Sequence, residues 1–233
     1  MATIIAITGE SFESGKSLAA QSLSVMRAMS GNKVVLIDAD PERVSFAWTK
    51  RRESAHLRPK VSARAIVSQS LGYELQDLRM RFTDIVIDTE ARDCLSSRSA
   101  LLAAHIAVIS VRPSNLKPTA REKLVKRIAS ARQLNPDLRL IVAVRSNSSQ
   151  MTEQETAAIR ELVSEAPLAG AATALIHDGV SLLSTSRSGL SEAECRPEDE
   201  RMASELLDLY EEVYANKKSG RVVQVGGLPM QKK

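Results

Sequence analysis

The chain has 233 residues, 43% hydrophobic and 3% aromatic, with two cysteines and a formal charge of +4. That length suits one α/β domain with a full core. No apolar stretch reaches the roughly 20 residues of a membrane span and no signal-peptide pattern opens the chain, while Cys94 and Cys195 lack metal-ligand spacing, so the expectation is a cytoplasmic protein without a membrane partner, zinc site or disulfide framework.

The apolar run at residues 4–7 leads into Gly9-Glu10-Ser11-Phe12-Glu13-Ser14-Gly15-Lys16-Ser17, and Leu18, Leu23 and Met26 continue with helical spacing. The pattern predicts a first strand, a phosphate-binding loop and a first helix. Backbone N–H groups and the helix N-terminus supply partial positive charge, Lys16 reaches phosphates, and the Ser17 hydroxyl binds Mg²⁺. The predicted nucleotide contacts are Ser11, Phe12, Glu13, Ser14, Gly15, Lys16, Ser17 and Leu18. The usual loop carries a glycine where this chain has Glu10; the nearest glycine is Gly9. The plainer alternative is a helix capped by Ser14 with Lys16 in solvent.

After the Gly31-Asn32 break, apolar runs recur at residues 34–38, 85–88, 106–111, 138–144 and 171–176, spaced for βα alternation. Residues 117–134 predict a helix with Leu124, Val125 and Ile128 inward. A second is predicted over 153–163, opened by Thr152 with Glu155 three residues on. The last, 198–214, repeats Met202, Leu206, Leu209 and Val213. The packing expected is a single three-layer α/β domain over 1–215, its mostly parallel twisted sheet covered by helices on both faces. Residues 216–233 lack periodicity and read as a flexible basic tail.

The tail holds five Lys/Arg and no acid, leaving the rest of the chain slightly acidic. Within the body, residues 43–64 and 112–145 are rich in Lys/Arg, whereas 192–212 is acidic. Such segregation fits either a DNA-facing surface or solvated helix faces paired with one another.

Two apolar runs end in acids: Asp38-Ala39-Asp40-Pro41 and Asp88-Thr89-Glu90. In an open α/β sheet, ligands sit beyond the carboxyl ends of the strands. Asp88 is thereby placed to orient Mg²⁺ waters, and Asp38 or Asp40 to reach the metal or an attacking water. The alternative is that these aspartates cap the following helices.

With these residues the chain resembles the ParA/MinD group of deviant Walker ATPases, and more closely its small plasmid-partition members. The resemblance rests on Gly15-Lys16-Ser17, on residues 34–41 followed by Ser45, Trp48 and Arg51-Arg52, on residues 84–88, on Arg112-Pro113-Ser114, and on residues 187–191. It extends to about Tyr214. The degenerate loop also resembles plasmid stability proteins of the StbB type, linked to plasmid positioning and conjugation.

The resemblance implies a P-loop fold binding ATP with Mg²⁺, a nucleotide-dependent homodimer, slow hydrolysis, association with non-specific DNA or, elsewhere in the family, a membrane, and a partner protein such as a DNA-binding adaptor. Carried over by position, Lys16 binds phosphates and Asp40 positions water, making these two the catalytic residues. Ser17, Asp38 and Asp88 hold the metal, and Asn147 contacts adenine. The family's signature lysine and the two glycines after it are replaced by Ser11, Phe12 and Glu13, which implies weak affinity or slow turnover. Arg43, Arg51 and Arg52 are the candidate replacements for that cation. For DNA, the candidates are Lys117, Arg121, Lys123, Lys126 and Arg127, with Arg132, contacting phosphates rather than stacking on bases. Two other readings are a pseudo-ATPase scaffold acting as a protein adaptor and a biosynthetic P-loop enzyme.

Overall fold

The structure, a computed structural model, describes residues 2–66, 70–147, 150–178, 187–194 and 200–214. The predicted basic tail and Cys195 lie outside them. The strands are β1 (Thr3–Gly9), β2 (Val34–Ala39), β3 (Ser62–Ala65), β4 (Asp84–Thr89), β5 (Ile106–Val111), β6 (Arg139–Ser146) and β7 (Ala172–His177). The helices are α1 (Lys16–Met29), α2 (Val44–Ser54), α3 (Leu71–Arg81), α4 (Leu95–Ala103), α5 (Pro118–Leu134), α6 (Glu153–Ser164) and α7 (Glu200–Tyr214).

The seven strands among the described residues join one parallel sheet in the order β3-β2-β4-β1-β5-β6-β7. Apolar side chains alternate between its two faces, as strand periodicity requires. Ile4 and Ala6 of β1, Val35 and Ile37 of β2, and Ile85 and Ile87 of β4 face a core with α3, α4, α5 and α6. Ile5 and Ile7, Val34 and Leu36, and Val86 face a second core with α1, Trp48 of α2, and α7. None of the described helices is long and apolar enough to cross a membrane.

The topology follows from right-handed crossovers. The connections through α1 and α2 move toward β3 and cover one face. Those through α3 to α6 move the other way and cover the opposite face. The loops leaving the adjacent strands β1 and β5 therefore part to opposite faces, opening a crevice at the carboxyl end of β1. The loop containing Lys16 lies there.

The expected helices over 117–134 and 153–163 form with nearly the expected bounds. The predicted capping box of α6 is present: Glu155 N–H donates to Thr152 Oγ1 at 3.2 Å and Thr152 N–H to Glu155 at 2.9 Å. The short β3 and the helices α2, α3 and α4 were not predicted by periodicity.

Candidate functional site

The loop after β1 turns through a 3₁₀ segment, Phe12–Ser14, and enters α1 at Gly15, whose φ of 82° lies in the left-handed region. That backbone suits glycine. The first amides of α1 have no side-chain cap, and a helix N-terminus with free amides is what an anion site requires. Gly9 is fixed by close approach instead: a Cβ there would lie 2.4 Å from Ser14 Oγ and 2.5 Å from the Ser110 carbonyl. Lys16 is only 3% exposed, and its ammonium donates to the Ser11 carbonyl at 2.9 Å. Burial lowers its pKa, against the opposing pull of Asp88 and Asp40. Gly15 rather than Ser14 occupies the cap position of α1, and Lys16 is buried, so Lys16 does not stand in solvent behind a Ser14 cap.

The two acid-ending strands are adjacent, with Asp38 and Asp88 directly paired in register and Asp88 also opposite Ile7 of β1. Both carboxylates are buried. Asp38 accepts from Phe46 N–H at 2.8 Å and Asp40 N–H at 3.1 Å. Asp88 accepts from Ser45 Oγ at 2.7 Å, yet its Oδ1 is buried without a partner. Burial, and secondarily the Asp38 charge, push the Asp88 pKa up to about 6. Burial likewise raises that of Asp38. Two carboxylates, one with an orphaned oxygen, and a serine hydroxyl at the helix start form an all-oxygen donor set of the kind Mg²⁺ takes. The residues present fit that ion. Asp40 is half-buried and accepts from Glu42 N–H at 3.0 Å.

The loop residues that depart from the usual pattern are held locally. Phe12 is 66% exposed. Glu13 accepts from Asn115 Nδ2 at 3.0 Å, turning its charge toward the end of β5. Glu10 accepts from Arg112 N–H at 3.2 Å, has its pKa raised by burial, and leaves Oε2 buried and unpartnered.

Four arginines brace the site. Arg127 donates to the Gly9 and Ala91 carbonyls, both at 2.7 Å, tying α5 to the end of β1. Arg145 is fully buried at the end of β6 and packs on Gly15, where a Cβ would lie 2.2 Å from its Cδ. It donates to Asp178 at 2.7 Å and pairs with Glu192 at 2.5 Å. Arg112 pairs with Asp178 at 2.6 Å and donates to the Glu13 carbonyl at 3.1 Å. Arg52 closes the α2 end, paired with Glu194 at 2.7 Å and donating to the Pro59 and Gly189 carbonyls. Sequence reasoning assigned no such role to Ser45, Arg127, Arg145, Asp178 or Glu192. The one available signal was Arg145 directly after the apolar run at residues 140–144.

The structure corrects two expectations. Arg127 is not an exposed phosphate contact, because its two terminal nitrogens serve backbone carbonyls inside the fold. Arg52 is not available as a replacement cation, because it is buried against Glu194. Arg43 and Arg51 are exposed, and Arg43 adopts a left-handed φ of 53° at the start of α2. Of the other α5 cations, Arg121 pairs with Glu161 and Lys126 with Glu122, while Lys117 and Lys123 are exposed. Arg132 donates to the Pro167 carbonyl at 3.1 Å. Asn147 is exposed, and its Oδ1 accepts from Arg112.

No protein-family model and no curated protein sequence matches the chain. Among solved structures it is similar to apo McdA of Cyanothece, with a TM-score of 0.70 and 15% identity over 91% of this chain and 99% of that one. It is similar to the septum site-determining protein MinD of Pyrococcus horikoshii OT3 in complex with Mg-ADP, with a TM-score of 0.68 and 17% identity over 92% and 97%. It is also similar to a Borrelia burgdorferi B31 protein assigned to plasmid partition and bound to AMPPNP, with a TM-score of 0.67 and 15% identity over 91% and 99%. At these identities the likeness shows the fold, which is a ParA/MinD-like P-loop α/β fold.

Proposed function

We propose that this chain is a ParA-like nucleotide-dependent switch that binds ATP with Mg²⁺, hydrolyses it slowly, and serves the partition, stability or positioning of a plasmid. The observation that carries this reading is the convergence of Lys16, Ser17, Asp38, Asp40 and Asp88 at the carboxyl ends of neighbouring strands, with one Asp88 oxygen buried and unpartnered. Bound Mg-ATP supplies a transferable phosphoryl group whose charge the metal neutralises.

The chain's own residues hold it. The amides opening α1 and the Lys16 ammonium receive phosphate oxygens once Lys16 leaves the Ser11 carbonyl. The Ser17 hydroxyl and the Asp88 and Asp38 carboxylates hold the metal, directly or through its waters. Asp40, half-buried and nearer solvent, positions the attacking water. With Ser11, Phe12 and Glu13 in place of a cation and two glycines, turnover is slow unless Arg43 or Arg51 of a second copy supplies charge across a nucleotide-dependent dimer. Association with DNA, or with a DNA-binding adaptor, places Lys117 and Lys123 at phosphates and weakens with salt.

One observation favours a second reading, a scaffold that does not hydrolyse ATP: Lys16 is already satisfied within its own loop. Calorimetric titration with Mg-ATP and Mg-ADP, alongside Lys16→Ala and with phosphate release followed on the same samples, separates the two. Binding abolished by Lys16→Ala, with slow phosphate release, supports the switch. Binding without release, or no binding at all, leaves the scaffold.

A further inference from the structure

Away from the nucleotide crevice, a groove of about 510 Å³ runs between α2 and the edge strand β3. Its apolar contacts are Phe46, Leu57 and Val61, and its exposed cations are Lys50, Arg58 and Lys60. Among the lining residues, Glu53 answers only Lys50, at 3.1 Å, and the Arg52 charge is already taken up by Glu194. The rim is therefore net positive.

One wall is a sheet edge. Among the described residues β3 pairs with β2 alone. In a parallel ladder alternate residues turn both backbone groups toward the same neighbour. Ile66 N–H donates to the Asp38 carbonyl at 2.9 Å, so residues 62, 64 and 66 face β2. Ala63 and Ala65 direct their N–H and C=O groups outward. Edge strands are usually blunted by bulk, charge or proline on the edge. Here the outward residues are alanines, and Arg64 is drawn away by Glu74 at 3.2 Å.

We infer that the α2–β3 groove binds an acidic, extended peptide segment of a partner protein by strand addition. Its backbone continues the sheet at Ala63 and Ala65, one row of its side chains rests on Phe46, Leu57 and Val61, and its carboxylates meet Lys50, Arg58 and Lys60. A nucleic acid duplex shares the charge preference but has no backbone amides to offer a strand edge, which is why the geometry favours peptide. The inference stands apart from the nucleotide reading, since no residue of the phosphate loop takes part.

The test is fluorescence anisotropy of the full chain with a labelled, blocked (Glu-Val)₄ peptide at low salt. Saturable binding is expected, weakened about tenfold or more by Lys50→Glu combined with Lys60→Glu and by raising salt past about 0.3 M. Ala63→Pro removes an outward N–H that β2 does not use, so it should abolish binding while the thermal midpoint holds. If Ala63→Pro fails to fold, the same peptide N-methylated at alternate amides asks the question from the ligand side, and loss of binding is again expected. Absence of saturable binding overturns the inference, as does binding indifferent to both Ala63→Pro and N-methylation. A duplex of about 20 base pairs that displaces the peptide and is insensitive to Ala63→Pro makes this a nucleic-acid surface instead and equally overturns it.

Discussion

Replacing Asp88 with asparagine should stabilise the fold while disabling the metal site. Asp88 is fully buried, and its pKa is raised from 3.8 to about 6, first by burial and then by Asp38. A shift of about two units corresponds to about 3 kcal/mol. The sign is set by which state holds the proton. Between pH 3.8 and about 6 the folded chain keeps a proton that the unfolded chain releases, so stability falls as pH rises through that window and the full penalty is present above it. Asp88→Asn removes the charge at nearly constant shape, and its carbonyl oxygen can keep the 2.7 Å bond from Ser45. Urea unfolding in EDTA should show the variant about 2 to 3 kcal/mol more stable at pH 7.5 and no more stable than the parent near pH 4. With EDTA replaced by Mg-ATP, the parent should gain stability and Asp88→Asn should not. A variant no more stable than the parent at pH 7.5, or a gain unchanged from pH 4 to 8, would refute the reasoning.

Arg145→Met leaves Glu192 buried without its cation and should cost about 3 to 5 kcal/mol in chemical denaturation, with much of the loss recovered by adding Glu192→Leu. Arg127→Met removes both donors to the Gly9 and Ala91 carbonyls; a loss of about 2 to 4 kcal/mol and weaker nucleotide binding are expected, with DNA retention unchanged in a pull-down. Ser45→Ala deletes a hydrogen bond that favours ionised Asp88, so the Asp88 pKa rises further. Its cost, about 1 to 3 kcal/mol by urea melts, should appear at pH 7.5 and shrink at pH 5. Lys117→Glu and Lys123→Glu should each lower the salt dependence of DNA binding by about one unit of log–log slope, measured by anisotropy, if α5 faces phosphates.

Much of the sheet was legible because a parallel strand covered on both faces is a nearly unbroken apolar run. The six predicted runs are six of the seven strands among the described residues. The seventh, β3, is Ser-Ala-Arg-Ala at a sheet edge, where partial exposure removes that signal. Helix α2 was hidden for a related reason. Its buried residues are Ser45, Trp48, Thr49 and Arg52, only one of them largely apolar, and their polar atoms are met by Asp88, the Leu190 carbonyl, the Ser45 carbonyl and Glu194 in turn. The candidate site was half legible. Glycine, lysine and serine at 15 to 17 and aspartates at strand ends follow from spacing along one chain segment, whereas the braces behind them come from distant segments.

Local order therefore determined the alternation of strands and helices, the phosphate-type loop and the acids placed beside it, because each is a pattern over neighbouring residues. Only the tertiary structure decided which charges are available. Along the chain, Arg52, Arg127 and Arg145 look like the exposed Arg43, Lys117 and Lys123. Folding buries the first three against Glu194, the Gly9 carbonyl and Glu192, partners 142, 118 and 47 residues away. A charge taken from water is stable only with such a partner, and no local pattern records where that partner lies.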